Sequence, residues 1–260
     1  MEEDVKKWLW WGIPVVVAAG LIGALYYGRK HKEEPVVQQV QNEPVAPAPE
    51  QPSNHPIAPD SAGAPLPPLA NSDAVLTDSL AGVFGRSLDQ FLVPKDVVRH
   101  IVATVDNLPR KKMAVEKWPL RTTAGLPTVD AQGETITLSS ANTSRYEPIM
   151  TIVRNTDTKQ VVALYKHFYP LFQQAYTDLG YPNGYFNNRL VEVIDHLLET
   201  PEVKGPIALT QPSVLYQFAD PSLEERSAGQ KLLIRMGSEN AAALKLKLRE
   251  LRREIAKPTG

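Results

Sequence analysis

The sequence predicts a mainly α-helical domain, with a minor β component, carried behind one membrane-spanning helix and a Pro-rich tether. Three observations predict it. Residues 8–27 contain no charged side chain, and roughly twenty such residues span the ~30 Å hydrocarbon core of a bilayer. Prolines recur from Pro35 to Pro68 among Gln, Ala and Glu, a composition that stays extended and solvated because it has little apolar surface to bury. Beyond residue 70, apolar side chains recur at spacings of three and four, the period of half-buried helices. The expected division is therefore a short head at 1–7, the span at 8–27, a basic flank and disordered tether at 28–70, and one helical domain at 71–257.

Trp8, Trp10 and Trp11 at one end of the span and Tyr26 and Tyr27 at the other occupy the two depths where amphipathic rings settle. No small-residue cleavage site follows, so the stretch reads as an uncleaved signal anchor. Lys6 and Lys7 on one flank nearly balance Arg29, Lys30 and Lys32 on the other. The short head and long tether favour a cytoplasmic tail, the inner membrane and a periplasmic domain, with the opposite orientation as the alternative on the charge count. A coil of the tether's length would reach roughly 35 Å, and a polyproline-like one about 120 Å.

Within the domain, Asp73 is read as the cap of a helix that Gly85 ends, with Leu76 and Leu80 among its apolar residues. Pro94 suits a first turn, and Val97, Val98, Ile101, Val102 and Val105 continue that helix to Pro109. Alternation over Thr135, Ile136, Thr137 and Leu138 predicts a strand, paired with Thr128 and Val129. A short helix starts at Thr143 or Ser144 and places Ile149, Ile152 and Val153 inward. The longest helix is predicted over 158–179, with Asp157 and Gln160 as a capping pair and Val161, Tyr165, Phe168, Phe172, Ala175 and Leu179 as its stripe. The turn at 180–184 leads into a partner helix from Tyr185 to about Thr200, and this antiparallel hairpin is expected to form the core. A β-hairpin at 207–209 and 214–218, one helix from Asp220 to Gly237, and a last helix capped by Ser238 complete the chain.

Four stretches together resemble a known family: Val102-Ala103-Thr104-Val105-Asp106-Asn107-Leu108-Pro109-Arg110, Tyr169-Pro170-Leu171-Phe172-Gln173-Gln174-Ala175-Tyr176, Gly180-Tyr181-Pro182, and Ser227-Ala228-Gly229-Gln230-Lys231-Leu232-Leu233. They are similar to the bacterial domain-of-unknown-function family 3014, from about Leu76 to Leu251. The resemblance implies a single N-terminal membrane segment, a Pro-rich spacer and a bacterial envelope setting. It implies no reaction.

A net charge of -1 argues against a chain devoted to nucleic acid, and the absence of cysteine excludes disulfides, thiolate nucleophiles and Cys-based zinc sites. No nucleophile elbow, phosphate-cradling loop or His-Glu-Xaa-Xaa-His occurs, and no cofactor is expected. The candidate metal or acid-base face is Glu192, Asp195 and His196, with Glu199, because these residues share one side of two helical turns. The ordinary alternative is a solvated face. Tyr181, Asn183, Tyr185, Asn187, Asn188 and Arg189 form a polar, aromatic corner suited to a glycan or peptide, against turn chemistry and packing as the alternative. Lys245, Arg249 and Arg252 are read as a basic face for anionic lipid or an acidic partner, against a merely solvated face paired to Glu250 and Glu254. The sequence thus favours a noncatalytic envelope scaffold or binding domain, with a hydrolase built on Glu192, Asp195 and His196 as the alternative.

Overall fold

The computed structural model describes residues 54–57, 64–112, 118–121 and 127–256, all within the unit Pro49–Gly260. The span expected at 8–27, the head before it and the tether as far as residue 53 lie outside the described residues. Among those described, no helix is long and apolar enough to cross a membrane.

Helix α1, Asp73–Phe84, ends as expected at Gly85, whose φ of 81° suits a residue without a Cβ. Its cap differs from expectation. Ser72 is the N-cap, while the Asp73 carboxylate accepts from the N–H groups of Asp96 and Val97 at 2.8 and 2.9 Å. That carboxylate therefore caps the next helix, α2, Val97–Asn107, which starts after Asp96 rather than at Pro94. Asp96 has a φ of 51°, an uncommon conformation for a residue with a side chain.

Strands β1, Val129–Gln132, and β2, Thr135–Leu138, pair antiparallel, with Val129 opposite Leu138. A 3-10 turn, Ser140–Tyr146, capped by the Ser139 hydroxyl, leads into α3, Glu147–Asn155. Asp157 caps α4, Thr158–Asp178, by accepting from the N–H of Lys159 at 2.8 Å, without the reciprocal bond expected from Gln160. Tyr165, Phe168, Phe172 and Ala175 are buried as expected, but Leu179 is exposed, and Val162, Leu171 and Tyr176 widen the apolar face. Helix α5, Phe186–Leu198, follows the turn. The expected hairpin exists, yet α2 and α8, Ser238–Ile255, each pack against both of its helices more extensively than those helices pack on each other. The core is thus a four-helix cluster, with Val97, Val102, Phe168, Phe186, Ile194 and Ile255 among its most buried members.

Strands β3, Ala208–Thr210, and β4, Gln217–Phe218, extend the first pair into one antiparallel sheet ordered β1-β2-β3-β4. The single helix expected from Asp220 to Gly237 is two, α6, Pro221–Glu224, and α7, Ala228–Arg235. Ser227 caps α7 by accepting from Gln230 N–H, which ends one helix and starts another within the same stretch. Leu209, Phe218 and Ile234 seal the sheet onto α7.

The spacer expected to run to residue 70 touches the domain over its described part. Asn187 is fully buried and donates to the carbonyls of His55 and Ile255 at 2.8 and 2.9 Å, while accepting from Tyr165. Ile57 and Leu66 pack against the core and Leu69 belongs to it. These apolar side chains, scattered among prolines, supply the burial that the Pro-rich composition alone does not suggest.

Candidate functional site

Asp106 stands four residues after Val102 and eight after Val98 on α2, so helical geometry turns it toward the interior with them. It is 2% exposed. Arg189 of α5 donates from Nε to Asp106 Oδ1 at 3.0 Å and from Nη2 to the Asp106 carbonyl at 2.9 Å. Arg110 Nη2 and the Tyr181 hydroxyl both donate to Oδ2, at 2.6 and 3.3 Å. A buried carboxylate is stable when its lone pairs are filled by cations and donors of this kind.

The neighbouring tyrosines are ordered by the same turn. Tyr176 stacks on Tyr181 with ring centroids 4.5 Å apart and planes 15° apart. A Cβ on Gly184 would lie 3.0 Å from the Tyr176 ring, a tight contact that glycine avoids. Gln173 holds the turn from beneath, accepting from Phe186 N–H and donating to the Gly184 carbonyl. Burial, with the Asp106 carboxylate adding to it, pushes the Tyr176 phenol up to about 12. Above these groups lies a concavity of about 250 Å³ lined by Asp106, Tyr176, Tyr181, Tyr185, Asn188, Arg189 and Glu192. Tyr185 is exposed at this surface, and Glu192 pairs with Arg189 at 3.3 Å.

The end of α2 also receives α7. Gly229 N–H donates to the Leu108 carbonyl at 2.9 Å and Ala228 N–H to the Arg110 carbonyl at 2.8 Å. A Cβ on Gly229 would lie 2.6 Å from a Leu197 methyl and 3.1 Å from the Leu108 carbonyl oxygen. All four stretches that carry the family resemblance therefore meet around one corner. A family model described as "Protein of unknown function (DUF3014)" matches residues 97–252. The chain belongs to this family. No curated protein and no solved structure gives a significant match. The family's description assigns no activity, so membership leaves the site to its geometry.

The structure separates the other candidates. Asp195 is clamped by Arg252, whose Nη2 lies 2.8 Å from Oδ2 and whose Nε also donates to Oδ1. His196 Nε2 shares a hydrogen bond of 2.8 Å with Ser227 Oγ, and Gln230 Nε2 donates to the His196 carbonyl. Ser227 is buried and already caps α7, so the pair ties α5 to α7 and presents no open nucleophile. Glu192 faces Arg189 and Glu199 is exposed. Among the described residues, no group of three such side chains is placed to hold a metal.

The basic face is corrected more fully. Lys245 is 8% exposed and donates to the Thr200 carbonyl, and Arg252 is spent on Asp195. Only Arg249 of that trio stays exposed without such a partner. The cause is that α8 is covered by α5 and by the chain around Thr200, so Lys245 is enclosed and Arg252, still part-exposed, is paired across to α5. In the polar corner, Asn187 and Asn188 turn inward, Asn188 accepting from His55 N–H at 3.1 Å, and Asn183 sits half-buried in the turn. Tyr181, Tyr185, Asn188 and Arg189 line the concavity. Asp106 and Tyr176 were not singled out from the sequence as site residues, although an acid at an apolar-face spacing was the signal available for the first.

Proposed function

We propose that this chain is a noncatalytic binding protein of the bacterial envelope, anchored in the inner membrane by residues 8–27, with its domain on the periplasmic side and a glycan as its ligand at the Asp106 corner. The concavity carries this reading. It sets the Tyr181 and Tyr185 rings beside a guanidinium whose position is fixed by a buried carboxylate. Across the network two carboxylates, Asp106 and Glu192, face two guanidiniums, Arg110 and Arg189, so the charges cancel and favour a polar, uncharged ligand. Ring faces for stacking and a few fixed hydrogen-bonding groups are what a sugar requires. The uncharged run with its aromatic ends supports the anchor.

Saturation-transfer NMR on the full chain in detergent, with soluble N-acetylhexosamine oligosaccharides, tests the ligand class. The wild type should show transfer to ring protons of the sugar, and Tyr185→Ala, at an exposed position, should weaken binding about tenfold, or 1.4 kcal/mol. Absence of transfer from every oligosaccharide, with transfer to an extended peptide instead, would move the reading to a protein partner.

A further inference from the structure

A second cavity, about 550 Å³ in volume, shares no lining residue with the Asp106 corner. Its walls are the end of β2, the loop at 200–207 and the α7–α8 junction, and Lys245 lines it. The Lys245 ammonium carries three donors. Among the described residues its one hydrogen-bond acceptor is the Thr200 carbonyl, and no carboxylate lies within 4 Å. Lys245 is 8% exposed, and its ammonium has no salt-bridge partner among the described residues, Glu202 acting on it only from beyond 4 Å, so its burial is costly. Burial accordingly holds the Lys245 amine below its usual range.

The rest of the lining has the same sign. Arg235 and Lys204 oppose the single acid Glu202. Arg235 sets its guanidinium 5.0 Å from the centre of the Phe218 ring and, among the described residues, makes no salt bridge, although Glu224 acts on it from farther off. Ser139, Ser140, Thr143 and Ser238 add hydroxyls. The first turn of α8 opens here, with Gly237 as its N-cap and no side chain capping it. Gly237 has a φ of 86°, and a Cβ there would lie 2.7 Å from Thr143 Oγ1, so this corner of the lining closes up only around glycine. Hydroxyls, a helix N-terminus and an ammonium with no salt bridge are complementary to an oxyanion.

We infer that this cavity is a binding site for an oxyanion, the chemistry shared by carboxylate and phosphate groups, carried on a larger polar ligand, with Lys245 as the counter-cation at its wall. The volume exceeds that of a bare ion and falls within the range of small-molecule sites, roughly 300 to 1,000 Å³. The site is independent of the glycan reading and stands or fails separately.

The test uses the full chain in detergent, at constant ionic strength set with chloride. Thermal unfolding is followed with inorganic phosphate, with glycerol phosphate, and with N-acetyl-glycyl-glycine against its C-terminal amide. The phosphates or the free carboxylate should raise Tm in a saturable way, and the amide should not; which of the two acts identifies the ligand's headgroup. Lys245→Met, close in shape and uncharged, should fold, be at least as stable as the wild type without added anion, and bind the anion about thirtyfold more weakly. Arg235→Gln, which leaves Lys245 in place, should weaken binding about fivefold and serves if Lys245→Met does not fold. No shift with either anion in the wild type, or undiminished binding in the variants, would overturn the site and leave Lys245 as a packing residue.

Discussion

Arg189 Nε lies 3.0 Å from Asp106 Oδ1, joining residues 83 positions apart at a carboxylate that is 2% exposed. This pair fastens α5 to α2 beneath the tyrosines. Arg189 and Arg110 both reach solvent, so losing the carboxylate does not strand a fully buried cation. Asp106→Ala should therefore cost about 1.5 to 3 kcal/mol, the range for hydrogen bonds to charged groups. The urea midpoint measures this, and a change below about 0.5 kcal/mol would mean that the pair does not hold the corner together.

Gly229→Ala should destabilise the domain by about 1 to 3 kcal/mol, because the new methyl meets the Leu108 carbonyl and a Leu197 methyl. Gly82→Ala, in α1 with nothing within 4 Å of the new atom, should instead stabilise by about 0.5 to 1 kcal/mol. Opposite signs for one substitution in two helices, read as unfolding midpoints, check that α7 is pressed against the end of α2.

Alkaline pH should unfold the domain. Burial raises the phenols of Tyr146, Tyr165, Tyr169 and Tyr176, the last to about 12. Above about pH 10 the unfolded chain releases these protons first, so the stability they contribute is full below that value and is lost as pH rises through the folded values. Lys245, lowered by burial, works the other way in the window below its unfolded pKa, but it is one group against four. Part of the tyrosinate absorbance should appear only together with loss of helical circular dichroism. Complete titration of all tyrosines in a still-folded domain would contradict these burial assignments.

The helices were legible where spacing alone decides burial: Val98 and Val102, or Phe168, Phe172 and Ala175, repeat at three and four residues and point inward as that period requires. The cap of α7 was hidden because Ser227 lies inside a run that reads as one helix. Asp73 looked like the cap of its own helix and serves the next, since a long-range hydrogen bond leaves no local pattern. Lys245 misled for the opposite reason: a cation beside an apolar stripe reads as solvated until a loop from another part of the chain covers it. Half of the polar corner was readable as residues, but Asp106, which holds it, is joined to Arg189 only by the fold.

The proposed anchor makes its own prediction. Alkaline carbonate washing of membranes should leave the full chain in the pellet, and protease added to intact spheroplasts should remove the domain while sparing the head. Release into the supernatant would exclude the anchor, and a domain protected until lysis would reverse the orientation.

The measurement closest to the central claim is photo-crosslinking in intact cells from Tyr185 of the full chain, compared with the same probe at Glu134 in the β1–β2 turn. A glycan-binding corner predicts an adduct from Tyr185 alone, one that a glycan-cleaving enzyme shortens and that Asp106→Ala diminishes. No adduct at Tyr185 beyond that seen at Glu134, in cells where the protein is folded and membrane-bound, would contradict it.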